Sequence, residues 1–315
     1  MGSEPPRAAR VVLALAAVYL IWGSTYLAIR FAIETLPPLA MAGTRFVIAG
    51  AILMLWTAQR GAARPTRAHW LGGTLVGALL LLGGNGGVVL AERTVPSGLT
   101  AVIVALVPAW MVLLHWLTAG ERPTRVTLAA LVVGFGGVAL LVGPRDTGVD
   151  RIDAFGTAAA LFASLSWAAG SLYSRRAPLP ADPLRANGIE QLVGGALLLA
   201  AATLAGEWGE LAPTAVSTRS LLSLGYLVVF GSLVGFTAYL WLLRAVRPAL
   251  ASTYAYVNPV VAVFLGWALA AEPVTARTLV AAGIILFAVA TITSEQAREG
   301  IRARRVATRE LAGRG

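Results

Sequence analysis

Apolar runs of about twenty residues, cut by short clusters of charge or proline, recur along the whole chain, and a helix of that length spans the ~30 Å of bilayer hydrocarbon. They predict spans at 11–33, 40–58, 70–91, 96–119, 126–143, 155–174, 187–205, 219–243, 249–270 and 274–293. The fifth is short enough to be a buried helix, but an even total returns both termini to one side of the membrane. Arg7 and Arg10 ahead of Val11–Phe31 imitate a signal peptide, yet the apolar stretch is too long and further spans follow, so it reads as an uncleaved first helix.

Composition agrees with this pattern. Of 315 residues, 57% are hydrophobic and 13% charged, and 34 are glycine, too many for an ordinary helical soluble protein. The net charge of +10 comes from arginine alone, without lysine. The arginines flank spans rather than forming one basic face, which argues against nucleic acid as a partner. With both termini inside, eighteen lie on inner segments and six on outer ones, which predicts a multi-pass protein of the cell (inner, cytoplasmic) membrane with cytoplasmic termini. Cysteine is absent, and His69 and His115 alone do not make a zinc site, so neither metal nor cofactor is expected. There is no Walker sequence, so energy is expected from a gradient rather than ATP.

The chain repeats itself. A shift of 145 places Trp22 on Trp167, Arg30 on Arg175, Pro38 on Pro183, Gly43 on Gly188 and Gly50 on Gly195. After a six-residue insertion, a shift of 151 places Gly84 on Gly235, Pro108 on Pro259, Trp116 on Trp267, Glu121 on Glu272 and Thr124 on Thr275. Five spans per half is an odd number, so the second half enters the membrane from the opposite side. The expected fold is all-α integral membrane, ten transmembrane helices as two inverted five-helix repeats. The halves are 1–146 (spans 1–5) and 147–315 (spans 6–10), the latter with a basic cytoplasmic tail from about 294 that reads as disordered or surface-bound.

Trp22-Gly23-Ser24-Thr25-Tyr26, Thr44-Arg45-Phe46, the stretch Pro108 to Glu121 and the stretch Pro259 to Glu272, in that order and spacing, resemble the drug/metabolite transporter superfamily, in particular its EamA family. The resemblance covers nearly the whole chain. It implies a ten-helix fold whose central cavity is bordered by spans one to four and six to nine, with the fifth and tenth peripheral. It leaves the substrate open among amino acids, sugars, drugs and other metabolites, and it suggests export.

Counting ~1.5 Å per residue places Trp22, Trp167, Pro108, Pro259 and Asn258 near half depth. Proline frees a carbonyl one turn earlier, which a membrane tolerates only against protein or a wet cavity. Tyr19, Trp22 and Tyr26 share a helix face, and Ser164, Trp167, Ser171 and Ser174 form the matching stripe. Asn85 sits among four glycines, a segment that either contacts substrate or packs a neighbouring helix. Tyr254, Tyr256 and Asn258 stand where the first half has Ile103, Ala105 and Val107; Tyr254 and Asn258 share a face. The expected substrate-binding set is Trp22, Tyr26, Asn85, Trp167, Ser171, Tyr254 and Asn258, with Pro108 and Pro259 as helix breaks.

Arg45 and Glu190 are ionisable residues inside spans, where a charge is costly unless hydrated or paired. Their expected depths lie ~15 Å apart, so a direct pair is not favoured. Arg45 suits a substrate carboxylate and Glu190 a cationic group or a proton; capping or interhelix bonding is the competing reading for both. Glu121 and Glu272 end their spans as interface or gate residues, and His115 reads as a bonded helix residue. The function expected is transport of a small metabolite, such as amino-acid export, by alternating access. A cationic-drug exporter is the alternative, and a membrane enzyme or sensor lacks both clustered ligands and an output domain. Glycines 134, 136 and 137 permit close packing of span five; the oligomeric state stays open.

Overall fold

A computed structural model describes residues 7–120, 122–142, 153–246 and 253–312. The fold is all-helical. Its spans are α1 (Arg7–Ala32), α2 (Pro38–Gln59), α3 (Arg67–Ala91), α4 (Ser97–Ala119), α5 (Arg125–Val142), α6 (Ala154–Ser174), α7 (Pro183–Leu204), α8 (Thr218–Leu242), α9 (Tyr254–Ala270) and α10 (Ala276–Ala312). Among the described residues eight helices are long and apolar enough to cross a membrane, and the two shorter apolar helices are those of α5 and α9. Phe155, Phe162, Phe264, Trp267 and Phe287 stand on the outside of the bundle, an arrangement that lipid rather than water stabilises. Glu121 lies outside the described residues.

Three differences from the expected spans are informative. First, α4 is broken between Val104 and Val107 because Pro108 cannot donate to the carbonyl of Val104. Second, α3 and α8 each contain a π-helical stretch, Ala78–Asn85 and Leu227–Val234, in nearly matching places of the two halves. Wide π turns are rare and cluster at functional sites. Third, the last helix does not stop at 293 but continues to Ala312, so the basic tail is helical rather than disordered.

The most extensively packed helices are the antiparallel pair α2 and α7. A Cβ added to Gly50 would lie 2.4 Å from the Leu192 nitrogen and 2.9 Å from the Gly188 oxygen; one added to Gly195 would lie 2.6 Å from the Val47 nitrogen and 2.9 Å from the Gly43 oxygen. The glycines that match along the sequence therefore meet crosswise, Gly43 with Gly195 and Gly50 with Gly188. A pseudo-twofold axis in the membrane plane produces that pattern, and the missing side chains let the backbones gain dispersion contact that lipid cannot supply. The helix starts are matched too. Thr124 Oγ1 accepts from the Thr127 amide at 3.2 Å, and Thr275 Oγ1 from the Thr278 amide at 3.1 Å.

Candidate functional site

A cavity of about 1020 Å³ occupies the middle of the bundle. It opens at the end where α1 begins, past Arg122, Arg175 and Gln296, and ends blindly near Ile29 and Val88. The seven residues of the expected binding set, the two ionisable residues and the two helix breaks all line it: Trp22, Tyr26, Asn85, Trp167, Ser171, Tyr254, Asn258, Arg45, Glu190, Pro108 and Pro259. Helices α5 and α10 reach it only at the mouth, through Thr127 and through Thr293, Gln296 and Ala297. The carbonyls that the two prolines release belong to Val104 and Ala255, and both of these residues line the cavity.

The two matched tryptophans are held by the same device. Trp22 lies over Gly235, where a Cβ would approach its Nε1 to 2.5 Å, and Trp167 lies over Gly84, where a Cβ would approach its Cε3 to 2.9 Å. Each ring thus fills a gap left by a glycine of the other half. Around Trp22 the symmetry ends. Phe236, Tyr239 and Tyr254 surround it at ring-centroid distances of 5.2, 5.0 and 5.2 Å, and its Nε1 donates to the Gly231 oxygen at 3.3 Å. Tyr239 and Tyr254 meet at 5.4 Å. Phe236 and Tyr239 were not among the sequence candidates, although the 151-residue shift that matches the halves places them on Asn85 and Val88.

Polar groups face this aromatic wall. Asn187 and Glu190 lie three apart on α7 and both line the cavity. Asn187 Nδ2 and Asn258 Oδ1 are buried and have no hydrogen-bond partner among the described residues. Arg45 is 4% exposed, donates from Nε to Ser232 Oγ at 2.8 Å and lies over the Phe46 ring at 4.6 Å. The register of α2 on α7, read from the glycine contacts, puts Arg45 about three to seven residues, or ~5–10 Å, along the axis from Glu190. They do not pair, as expected, though the gap is smaller than the sequence count. The glycines around Asn85 serve packing: Gly83 admits Ser166, whose hydroxyl donates to the Leu79 oxygen at 2.7 Å, and Gly87 admits Ala163. Asn85 Nδ2 donates to the Leu80 oxygen at 3.3 Å. Ser164 accepts from Trp110 Nε1 at 2.9 Å, Tyr19 is bonded to Thr253, and Tyr256 stays outside the cavity, packed among the core of α4, α5 and α10.

The closed end is built from backbone-capping carboxylates. Glu272, in the turn after α9, accepts from the Ser97 and Gly98 amides at 2.7 and 3.1 Å, holding the start of α4. Glu207 does the same for α2, accepting from the Leu39 and Ala40 amides at 3.2 and 2.9 Å. Glu92, in the turn just past α3, is different. It is fully buried, and neither carboxylate oxygen has a partner among the described residues. Burial first, then the charge of Glu272, push its carboxyl well above the ordinary carboxylate range, against the opposing pull of Arg30.

Among the described residues, eight membrane-scale helices and two shorter apolar ones wrapped around a blind, solute-sized cavity define a polytopic membrane transporter. The profile of the EamA-like transporter family matches residues 9–143 and again residues 154–294, and the chain belongs to that family. It is 42% identical over 281 residues, 89% of either chain, to the "uncharacterized inner membrane transporter YedA" of Escherichia coli K12. It is 26% identical over 282 residues, 88% of this chain and 94% of the other, to the transporter YoaV of Bacillus subtilis 168. It is also 26% identical over 250 residues to protein PecM of Dickeya dadantii, covering 78% and 80% of the two chains. A solved crystal structure with 22% identity, covering 92% of this chain and 98% of that one, superposes with a TM-score of 0.59, a likeness of fold.

Proposed function

We propose that this transporter moves a small polar metabolite of the amino-acid type out of the cell by alternating access, with the two halves, 1–146 and 147–315, rocking about the α2–α7 crossing. The observation that carries the reading is the cavity itself, lined from both halves, open at one end and blind at the other. On this reading the protein sits in the cytoplasmic membrane with both termini inside, and the conformation described faces the cytoplasm. Arg45 receives a substrate carboxylate, Asn187 and Asn258 supply a donor and an acceptor, Glu190 attracts a cationic group, and the aromatic wall packs the apolar remainder. Three arginines, Arg45, Arg122 and Arg175, line the cavity against one acid, Glu190, which favours a zwitterion or anion over a cationic drug.

Reconstitution into liposomes with a labelled panel of amino acids, organic acids and cationic dyes, with and without a proton gradient, tests this. Amino or organic acids are expected to move; selective movement of the dyes alone, or of no solute, defeats the reading. Asn258→Ala removes one buried polar contact worth about 1–2 kcal/mol, so the apparent affinity for the transported solute is expected to weaken about tenfold. Orientation has its own test, because the chain has no native cysteine. A single cysteine at Glu210 is expected to react with an impermeant maleimide added to intact cells, and one at Ala63 only after lysis; the reverse pattern inverts the topology.

A further inference from the structure

Glu92 is a buried acid that the cavity does not use, and its position gives it a role. The residue one turn before it, Val88, lines the blind end of the large cavity; the Glu92 amide donates to the Val88 oxygen at 3.0 Å. The residue after it, Arg93, lines a separate depression of about 430 Å³ on the opposite face, together with Arg30. Glu92 therefore stands in the wall between the two spaces. Arg30 Nη1 is committed to the Glu92 backbone oxygen at 2.8 Å rather than to its carboxylate.

The groups that act on Glu92 come from two directions. From α1 come Arg30 and Tyr26, and from the turn after α9 comes Glu272, whose charge is held by the amides of Ser97 and Gly98. Asp153, at the start of α6, is bonded to the Thr94 hydroxyl and the Gly156 amide at 2.9 and 2.6 Å instead. One cation bonded to the Glu92 backbone rather than its carboxylate, and a second carboxylate, leave an ionised Glu92 poorly compensated in a fully buried site. A neutral acid fits that site; an anion requires the wall to open.

We propose that Glu92 is a proton-binding site that holds a proton while the outer end is closed and gives it up to the outer depression as that end opens, so that the pH on the outer side biases the alternating-access cycle. This rests on the alternating-access reading. The group prefers its protonated form in the closed conformation, so closure is favoured at low pH and lost as pH rises through the carboxyl's raised pKa.

Ser97 is fully buried at the closed end, and Ser97→Cys makes a near-isosteric thiol reporter. In full-length protein in lipid nanodiscs, the maleimide reaction rate at Ser97→Cys, normalised to the exposed reporter Glu210→Cys, is measured between about pH 5 and pH 9. The normalised rate is expected to rise with pH by up to about tenfold per unit, the limit for release of one proton. Adding Glu92→Gln is expected to leave a slow rate without pH dependence, and Glu92→Asp, which still titrates, to keep the dependence. Unchanged pH dependence in Glu92→Gln, or a rate in the Ser97→Cys parent that does not vary with pH, overturns the proton site and leaves alternating access standing. A Ser97→Cys thiol that never reacts at any pH overturns both.

Discussion

Gly50→Leu is expected to abolish accumulation of folded protein in the membrane. The added side chain would begin 2.4 Å from the Leu192 backbone nitrogen, and backbone of a central helix does not move aside as a flexible side chain does. Overpacking costs about 1–3 kcal/mol where neighbours can shift, and more where they cannot. Separating α2 from α7 also gives up the close contact on which helix association in lipid depends. Gly50→Ala is expected to lower the melting temperature clearly, and Gly195→Ala to do the same, because the pseudo-twofold presents Gly195 to the Val47 nitrogen in the same way. Gly136 is the control: nothing lies within 4 Å of its absent Cβ, so Gly136→Ala is expected to be neutral or slightly stabilising. Thermal unfolding of detergent-purified variants decides. Equal melting temperatures for Gly50→Ala and Gly136→Ala would refute the central role of the crossing.

Trp22→Ala is expected to have the second-largest effect, and on two readouts. The indole makes three aromatic contacts and one hydrogen bond across to α8 and α9. Emptying such a site costs about 3–5 kcal/mol. Aromatic pairing accounts for about 0.5–1.5 kcal/mol per pair. Transport is expected to fall with it, because the same ring forms the cavity wall against which Tyr254 is held. Trp22→Phe keeps the ring and loses the Nε1 donor, and is expected to lose only about 1 kcal/mol. Melting temperature and initial transport rate, measured together, separate packing from contact with solute. If Trp22→Ala melts like the wild type, the aromatic wall is not a structural unit.

The spans were legible because bilayer hydrocarbon forces long apolar runs, and part of the cavity's lining was legible because prolines and tryptophans recur at shifts of 145 and 151. The crosswise glycines follow from the same repeat: Gly43 and Gly50 match Gly188 and Gly195 along the chain, and inversion brings each to the other's partner. Other features left weaker traces. Phe236 and Tyr239 sit in an apolar span, where an aromatic carries no contrast in polarity. Glu92 looks like any charge at a span's end, since its burial depends on α1 and the turn after α9 closing over it. The π stretches have no composition of their own, and the arginine-rich tail hides the continuation of the last helix.

That last helix has a mechanical consequence. Its 37 residues measure ~55 Å along the axis, about 25 Å more than the ~30 Å of bilayer hydrocarbon. Over that excess length a tilt of about 10° moves the helix tip through ~4 Å. Because Thr293, Gln296 and Ala297 of the same helix border the cavity mouth, a probe fixed near Ala312 would magnify, at a distance, whatever the mouth does when a solute enters.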